Sequence, residues 1–456
     1  MRIGRIRLRR ASAAWRSAGF SLIEILVAIT LGLLVSVGLA TLFQSTSASS
    51  KVETAFQHLQ ENGRYAITRL NTDVRMTGAP YCSNSSGPAT VTTNGATDLP
   101  IATSIYAPSL TLPDVPSGLA AMAAAPTGWP TGAGALPYPL SPSVNLQGYE
   151  CDLGGTSCAS PAPSFLPAQG ITAGLRVPGT DALTIRYLQG TGWPLTASSV
   201  PVAGTCAITA TRSDPDPAFN FAAGNNVFIG ICNNPLVAAA PAGVAISGNT
   251  ATATLTGLTA NSAGCAGWPV NVTRVYNYST DFVAATYYLQ YNTDPNTPGR
   301  VVPGLVRRVN GVDSVIASGV EKLDFLYGVA DANGNVAYMT ADKVNTRNGG
   351  AIACPAPSVQ FTNGGVTLPD QTGCLWRAVK SIEVHMLVDT VNNVYPIGSD
   401  DKMYCYSIDP TTSLATVDCT DKTKFTAPPA TDAGGLPSSM MRREFVSLIG
   451  VRRAAL

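Results

Sequence analysis

The stretch Ala18–Phe43, AGFSLIEILVAITLGLLVSVGLATLF, decides how this chain is read. From Phe20 to Phe43 it runs 24 residues, almost wholly apolar, with a single acid, Glu24, five places in. At 1.5 Å per residue a helix of that length reaches about 36 Å, enough to cross a bilayer core of about 30 Å. Six arginines precede it (Arg2, Arg5, Arg7, Arg9, Arg10 and Arg16), with no acid among the first 19 residues. That asymmetry predicts a cytoplasmic N-terminus and an exported body. Only Glu24 resists a plain anchor. An acid at the centre of a membrane helix costs roughly 2.5–3.5 kcal/mol, less near the interface, and marks a function whose partner must be named.

Beyond Phe43 the chain turns polar, yet a helical period persists. Val52, Phe56, Leu59, Ile67, Leu70 and Val74 trace one stripe, with Lys51, Glu53, Gln57, Glu61, Arg64, Arg69 and Asp73 assigned to the opposite face. Gly63 reads as a weak spot, and Gly78-Ala-Pro80 ends the helix. One helix over about Phe20–Thr77 is therefore expected, the first half in membrane or filament core and the second under a head. His58 on this helix reads as a solvated or partly packed residue.

The 456 residues suffice for a large domain or two smaller ones beside the apolar segment. Charged residues are only 12%, with 43 Gly and 33 Pro, a composition suited to a loop-rich β protein. Setting the basic N-terminal run aside leaves 23 basic residues against 28 acidic, a balance of −5, so no nucleic-acid footprint is present. From 80 to about 180 the sequence is rich in Pro, Gly, Ala, Ser and Thr and reads as a loop-rich insert. After Asp181 strand signals recur: DALTIRYL, NVFIGIC, FVAATYYLQY, GLVRRVN, VEKLDFLYGV, AVKSIEVHMLV and EFVSLIGVRR. In VEKLDFLYGV the apolar residues mark a buried face only after one offset, as beside a bulge. The expected fold class is α+β: a long N-terminal helix and a mostly antiparallel β head carrying the insert.

Ten cysteines follow the apolar segment: Cys82, Cys151, Cys158, Cys206, Cys232, Cys265, Cys354, Cys374, Cys405 and Cys419. An even count behind an export signal predicts disulfides made in an oxidising compartment. Pairs that close short loops are favoured: Cys151–Cys158, Cys206–Cys232, Cys354–Cys374 and Cys405–Cys419, which leaves Cys82 and Cys265 to join helix end to head. Zinc would need closely spaced Cys/His pairs, and His58 and His385 are isolated. His385 alternates with apolar neighbours and reads as structural. DANGN at Asp331–Asn335 has calcium-loop residues without the full spacing and reads as a hairpin turn. No phosphate loop, HExxH or G-x-S-x-G is present, so no metal, cofactor or catalytic residue is expected and the chain does not read as an enzyme.

GFSLIE, Gly19–Glu24, resembles the cleavage site of type IV prepilins. The resemblance implies that residues 1–19 are a leader removed after Gly19 by a membrane prepilin peptidase, which also methylates the new terminus at Phe20. Glu24 is then the fifth mature residue, where the family keeps a glutamate. A buried carboxylate needs a cation, and a neighbouring subunit's α-amino group, staggered along a filament, supplies one. The order DALTIRYL, LVRRV, VEKLDFLYGVADANGNV, WRAVKSIEVHMLV and RREFVSLIGVRR is similar to PilW-like minor pilins; residues 80–180 match nothing in that family. The division implied is leader 1–19, membrane or filament helix 20–79, insert 80–180 and periplasmic β-rich head 181–456. The role implied is a minor pilin that primes pilus assembly from the inner membrane and sits in a tip complex. Its partners would be the peptidase, other minor pilins, the major pilin and a tip adhesin. A J-type pseudopilin of type II secretion shares every feature of the helix, and a membrane-anchored carbohydrate- or surface-binding protein would differ in an uncut leader.

Overall fold

The computed structural model describes residues 20–77, 104–105, 110, 112–115, 138–139, 144–151, 157–159, 161–198, 205–211, 222–230, 236–240, 244–256, 268–331, 334–353, 362–363, 366–367, 373–394, 398 and 400–451. The leader with Gly19, and Cys82, Cys232, Cys265 and Cys354, lie outside them. The chain divides into two compact units at Thr54/Ala55.

Helix α1 spans Leu22–Met76. In the first unit its side chains are exposed almost throughout, and the segment is long and apolar enough to cross a membrane. Several of its hydroxyls bond back to the helix backbone: Thr30 to Leu26 and Val27, Ser36 to Gly32, Thr41 to Gly38 and Thr46 to Leu42. That keeps polar groups satisfied in apolar surroundings.

In the second unit the helix buries Leu59, Gly63, Ala66, Leu70, Asp73 and Val74. Gly63 makes a close contact, because a Cβ there would come within 2.4 Å of the Phe445 ring. One expectation is corrected here. Asp73 belongs to the buried stripe, seven residues beyond Ala66 and fourteen beyond Leu59, because a basic strand partner waits beneath it.

The strands follow in order: β1 Ser104–Ile105, β2 Tyr138–Pro139, β3 Leu146–Tyr149, β4 Ala182–Leu188, β5 Trp193–Ser198, β6 Cys206–Thr211, β7 Asn226–Gly230, β8 Leu236–Ala239, β9 Val244–Ser247, β10 Thr250–Leu255 and β11 Arg274–Asn277. After the short α2, Tyr278–Asp281, come β12 Phe282–Thr293, β13 Val301–Val309, β14 Val312–Ser318, β15 Val320–Ala330 and β16 Val336–Met339. Helix α3, Ala341–Thr346, precedes the small hairpin β17 Thr362–Asn363 and β18 Val366–Thr367, then β19 Val379–Asp389 and β20 Arg442–Gly450.

Two sheets, ordered β14-β13-β12-β4-β3 and β16-β15-β19-β20, share one apolar core with Leu59, Ala66, Leu70 and Val74 of the helix. All their ladders are antiparallel. Trp376 and Tyr327 anchor this core edge to face at 4.8 Å, and Trp376 donates its indole N–H to Asn345 at 2.8 Å. Gly148 on β3 lets the Tyr327 hydroxyl pass, since a Cβ there would sit 2.1 Å from it. The offset in VEKLDFLYGV appears as register shifts of β15 against β19 after Val320 and Gly328. Both faces of β15 are buried because residues 404–414 fold over the outer one, packing Tyr404, Tyr406, Ile408 and Leu414 on Leu326 and Leu387.

A third sheet, β2-β1-β8-β7-β11-β5-β6-β10-β9, encloses its own apolar cluster of Trp193, Leu195, Ile208, Val227, Ile229, Leu255 and neighbours. It is antiparallel except where β1 meets β8. It curls until Ala239 at the end of β8 bridges Thr256 just past β10.

Candidate functional site

Helix α1 begins two residues after Phe20, and its first turn is closed by the Glu24 and Ile25 amides donating to the Ser21 carbonyl at 3.0 and 3.1 Å. An acid in the first turn meets the positive end of the helix dipole, which favours Glu24 where it stands. Phe20 is 78% exposed, and Glu24 is exposed as well. The segment therefore presents one carboxylate on an otherwise apolar, uncovered helix, a surface that only a neighbouring helix or lipid could bury.

The helix is clasped to the head through Asp73. Its Oδ2 receives Arg307 Nε at 2.6 Å and the Tyr287 hydroxyl at 2.7 Å, and its Oδ1 receives the Tyr187 hydroxyl at 3.4 Å. Arg307 Nη2 adds a 3.3 Å bond to that same Tyr187 hydroxyl. Burial alone would lower the Arg307 pKa, but the hydrogen bond and charge of Asp73 outweigh it and the net shift is upward. Burial, reinforced by the Asp73 charge, raises Tyr287, so both tyrosines act as donors. Asn62, about three turns earlier on the same face of the helix, donates to the Ser318 carbonyl at 3.2 Å. The next residue of the LVRRV strand, Arg308, holds Asp114 at 3.2 Å and Asp313 at 3.0 Å. No sequence motif marks Asp73, Arg307, Tyr187 and Tyr287 as a group. The signal that could have found them was the seven-residue spacing Leu59, Ala66, Asp73, which places an acid in an apolar stripe.

A second polar cluster fastens residues 404–414 to the outer face of β19. His385 is 1% exposed, with Nδ1 at 3.0 Å from Glu444 Oε1 and 2.8 Å from Ser407 Oγ; Ser407 also donates to Glu444. Serine, histidine and carboxylate thus meet. A proton relay, however, needs hydroxyl and acid on opposite ring nitrogens, and here both crowd Nδ1. Nε2 faces Glu383 Oε1 at 3.2 Å without hydrogen-bond alignment. The arrangement ties a strap to a sheet. The Tyr406 hydroxyl donates to Asp324 Oδ2 beside it, and burial still pushes Asp324 up to about 6. Burial likewise pushes Glu150 up to about 7 and raises Asp181 well above the carboxylate range, helped by the Glu150 and Asp324 charges. Asp181 accepts from the Cys151 and Phe325 amides at 3.0 and 3.1 Å.

Disulfides join Cys151 to Cys158 and Cys405 to Cys419, the second closing the base of the strap. Cys206 and Cys374 are also disulfide-bonded, with partners outside the described residues. In the DANGN turn Asp331 spends both carboxylate oxygens on Asn335, at 2.8 and 3.1 Å, with Gly334 at φ 87°. Among the described residues no group of three or more His, Cys, Asp or Glu could hold a metal ion. His58 is exposed on α1.

Two family models match this chain. Residues 286–452 match the family described as Type IV Pilus-assembly protein W, and residues 16–40 match the Prokaryotic N-terminal methylation motif. Comparison with curated proteins and with solved structures found no match. The first span holds β13, β15, β19 and β20 with Arg307 of the clasp, and the second runs from before Gly19 through the start of the exposed apolar helix. Over these two spans the chain matches a PilW-like type IV pilin.

Proposed function

We propose that this protein is a minor pilin that primes type IV pilus assembly and occupies a tip-associated complex with other minor pilins. The observation that carries the reading is one carboxylate, Glu24, on an exposed apolar helix inside the matched methylation motif. The prepilin peptidase would cut after Gly19 and methylate Phe20, leaving the helix in the inner membrane with the head in the periplasm. During extraction Glu24 would pair with the amino terminus of an adjacent pilin, major or minor, while the head meets its neighbours or a tip adhesin. The match to PilW over 286–452 favours the pilus over the related secretion system.

The test follows from the energetics of a buried pair. Removing one member leaves the other uncompensated, at about 3–5 kcal/mol. Glu24→Ala should leave export, cleavage and head folding intact while depleting the mature protein from minor pilin complexes purified from membranes and from sheared pili. Wild-type recovery of the variant in both fractions would refute the role given to Glu24.

A further inference from the structure

Seven of the nine strands of the third sheet, β5 to β11, lie on an excursion from a hairpin, and β1 and β2 join them from earlier in the chain. Leu188, the last residue of β4, is the direct antiparallel partner of Phe282, the first of β12. Residues 189–281 thus leave the main fold and return to it at one point. The main apolar core draws no residue from that excursion, and the lobe's own cluster draws only on Trp193–Val275. The PilW match begins after it, at residue 286. The root is stiff: the Tyr278 ring stacks on Phe282 at 4.5 Å and on Phe228 at 6.3 Å, while Asn277 caps α2 through the Ser279 amide.

The lobe's outer face has an unusual composition. Strands β5, β6, β9 and β10 contain no Asp, Glu, Lys, Arg or His, and their one aromatic residue, Trp193, is buried in the core. Their inner positions are Leu195, Ile208, Ala210, Ala251, Ala253 and Leu255. Their outer positions are mostly threonine, Thr196, Thr209, Thr211, Thr250, Thr252 and Thr254, with Ala207 and Ala245 among them; Thr196, Thr252 and Thr254 are exposed. Registers place Thr250 opposite Thr211 and Thr252 opposite Thr209. Thr196, Thr211 and Thr250 hydroxyls form a chain across three strands, at 3.3 and 3.4 Å.

We propose that this lobe is a recognition module whose threonine-lined face binds a neutral polysaccharide. Each hydroxyl both donates and accepts, as sugar hydroxyls do, and each carries a methyl that can lie against ring C–H groups. The threonines repeat about every 4.8 Å across strands and 6.7 Å along them, a grid on the scale of successive sugar substituents. Nucleic acid or an acidic lipid surface would call for the cations that these strands lack. A protein partner would be met by the aromatic and arginine anchors that enrich interface cores, and the face has neither. This inference is independent of the role in assembly.

The test uses the full mature chain in detergent, sedimented with microcrystalline cellulose and with chitin, and against alginate gel and phosphatidylglycerol vesicles. The variant Thr252→Lys/Thr254→Glu places two charges on the face without changing net charge. Wild-type protein should be retained by a neutral polysaccharide and the double variant about tenfold more weakly, at an unchanged unfolding temperature. Equal retention of the variant, no retention of the wild type on either neutral polymer, or retention only on alginate or vesicles would each overturn the proposal. Co-purification with other pilins, read on the same variant, should stay at the wild-type level. That separates failure of this inference from failure of the assembly reading.

Discussion

The main fold and the inserted lobe are both β structures, yet they are held together by different means. The main fold packs large side chains, Trp376, Tyr327, Phe325 and Tyr287, under a helix and adds buried ionisable groups: the Asp73–Arg307 ion pair and the carboxyl groups of Glu150, Asp181 and Asp324. The lobe packs alanine, valine, leucine and isoleucine around Trp193 and Trp268. The difference teaches which part is built to transmit position. A buried ion pair adds little net stability over an apolar pair, but it penalises every register that leaves a charge alone. Asp73 and Arg307 therefore fix how the helix lies on the head, whereas the lobe has only to hold a surface.

The largest effects should come from the two tryptophans, and they should differ in reach. Trp376→Ala removes the anchor of the shared core and should cost about 3–5 kcal/mol of global stability. Trp193→Ala removes a similar volume, yet hydrogen exchange should show accelerated opening in 193–277 with 282–330 and 379–389 still protected. Loss of protection in both regions from Trp193→Ala would show that the lobe and main fold unfold as one.

Asp73→Ala comes next, at about 3–5 kcal/mol, because it strands the Arg307 guanidinium in a pocket where its side chain is 14% exposed. The double variant Asp73→Leu/Arg307→Met should recover most of that loss in denaturant unfolding. If it does not, the clasp contributes stability directly rather than register. The helix of the double variant should gain alternative packings, visible as broadened exchange around Leu59–Val74.

A smaller effect sharpens the same contrast through pH. In the main fold Asp324 is raised to about 6 and Glu150 to about 7 by burial, so the folded state holds protons that the unfolded chain has released. Stability from these groups is fully present below the ordinary carboxylate range. It declines as pH rises from about 4 to 7, by about 3 kcal/mol for each group. The described residues of the lobe's strands carry no acid, so its exchange rates, corrected for intrinsic chemistry, should be flat over that range. Glu150→Gln should reduce the slope in the main fold.

How much of this was legible in the sequence depended on side-chain contrast. Strands β4, β12, β13, β15, β19 and β20 are rich in Val, Ile, Leu, Tyr and Phe, and each stood out. Strands β5, β6, β9 and β10 did not, because in TATATL or CAITAT the buried member of each pair is alanine, hardly more apolar than threonine. Strand β3, LQGY, was hidden in a stretch read as loop, since its place is set by pairing with β4 and by Gly148 admitting Tyr327. GFSLIE was plain because cleavage and pairing chemistry are local in sequence. The Asp73 clasp was not, since its four members come from a helix and three strand positions more than a hundred residues away.

The central claim is that this chain is processed and assembled as a pilin, and the most direct measurement is the intact mass of the mature protein purified from membranes. The account predicts a chain that begins at Phe20 and carries one methyl group on its amino terminus. A mass that retains residues 1–19, or one set by a cut near Ala48, would contradict it.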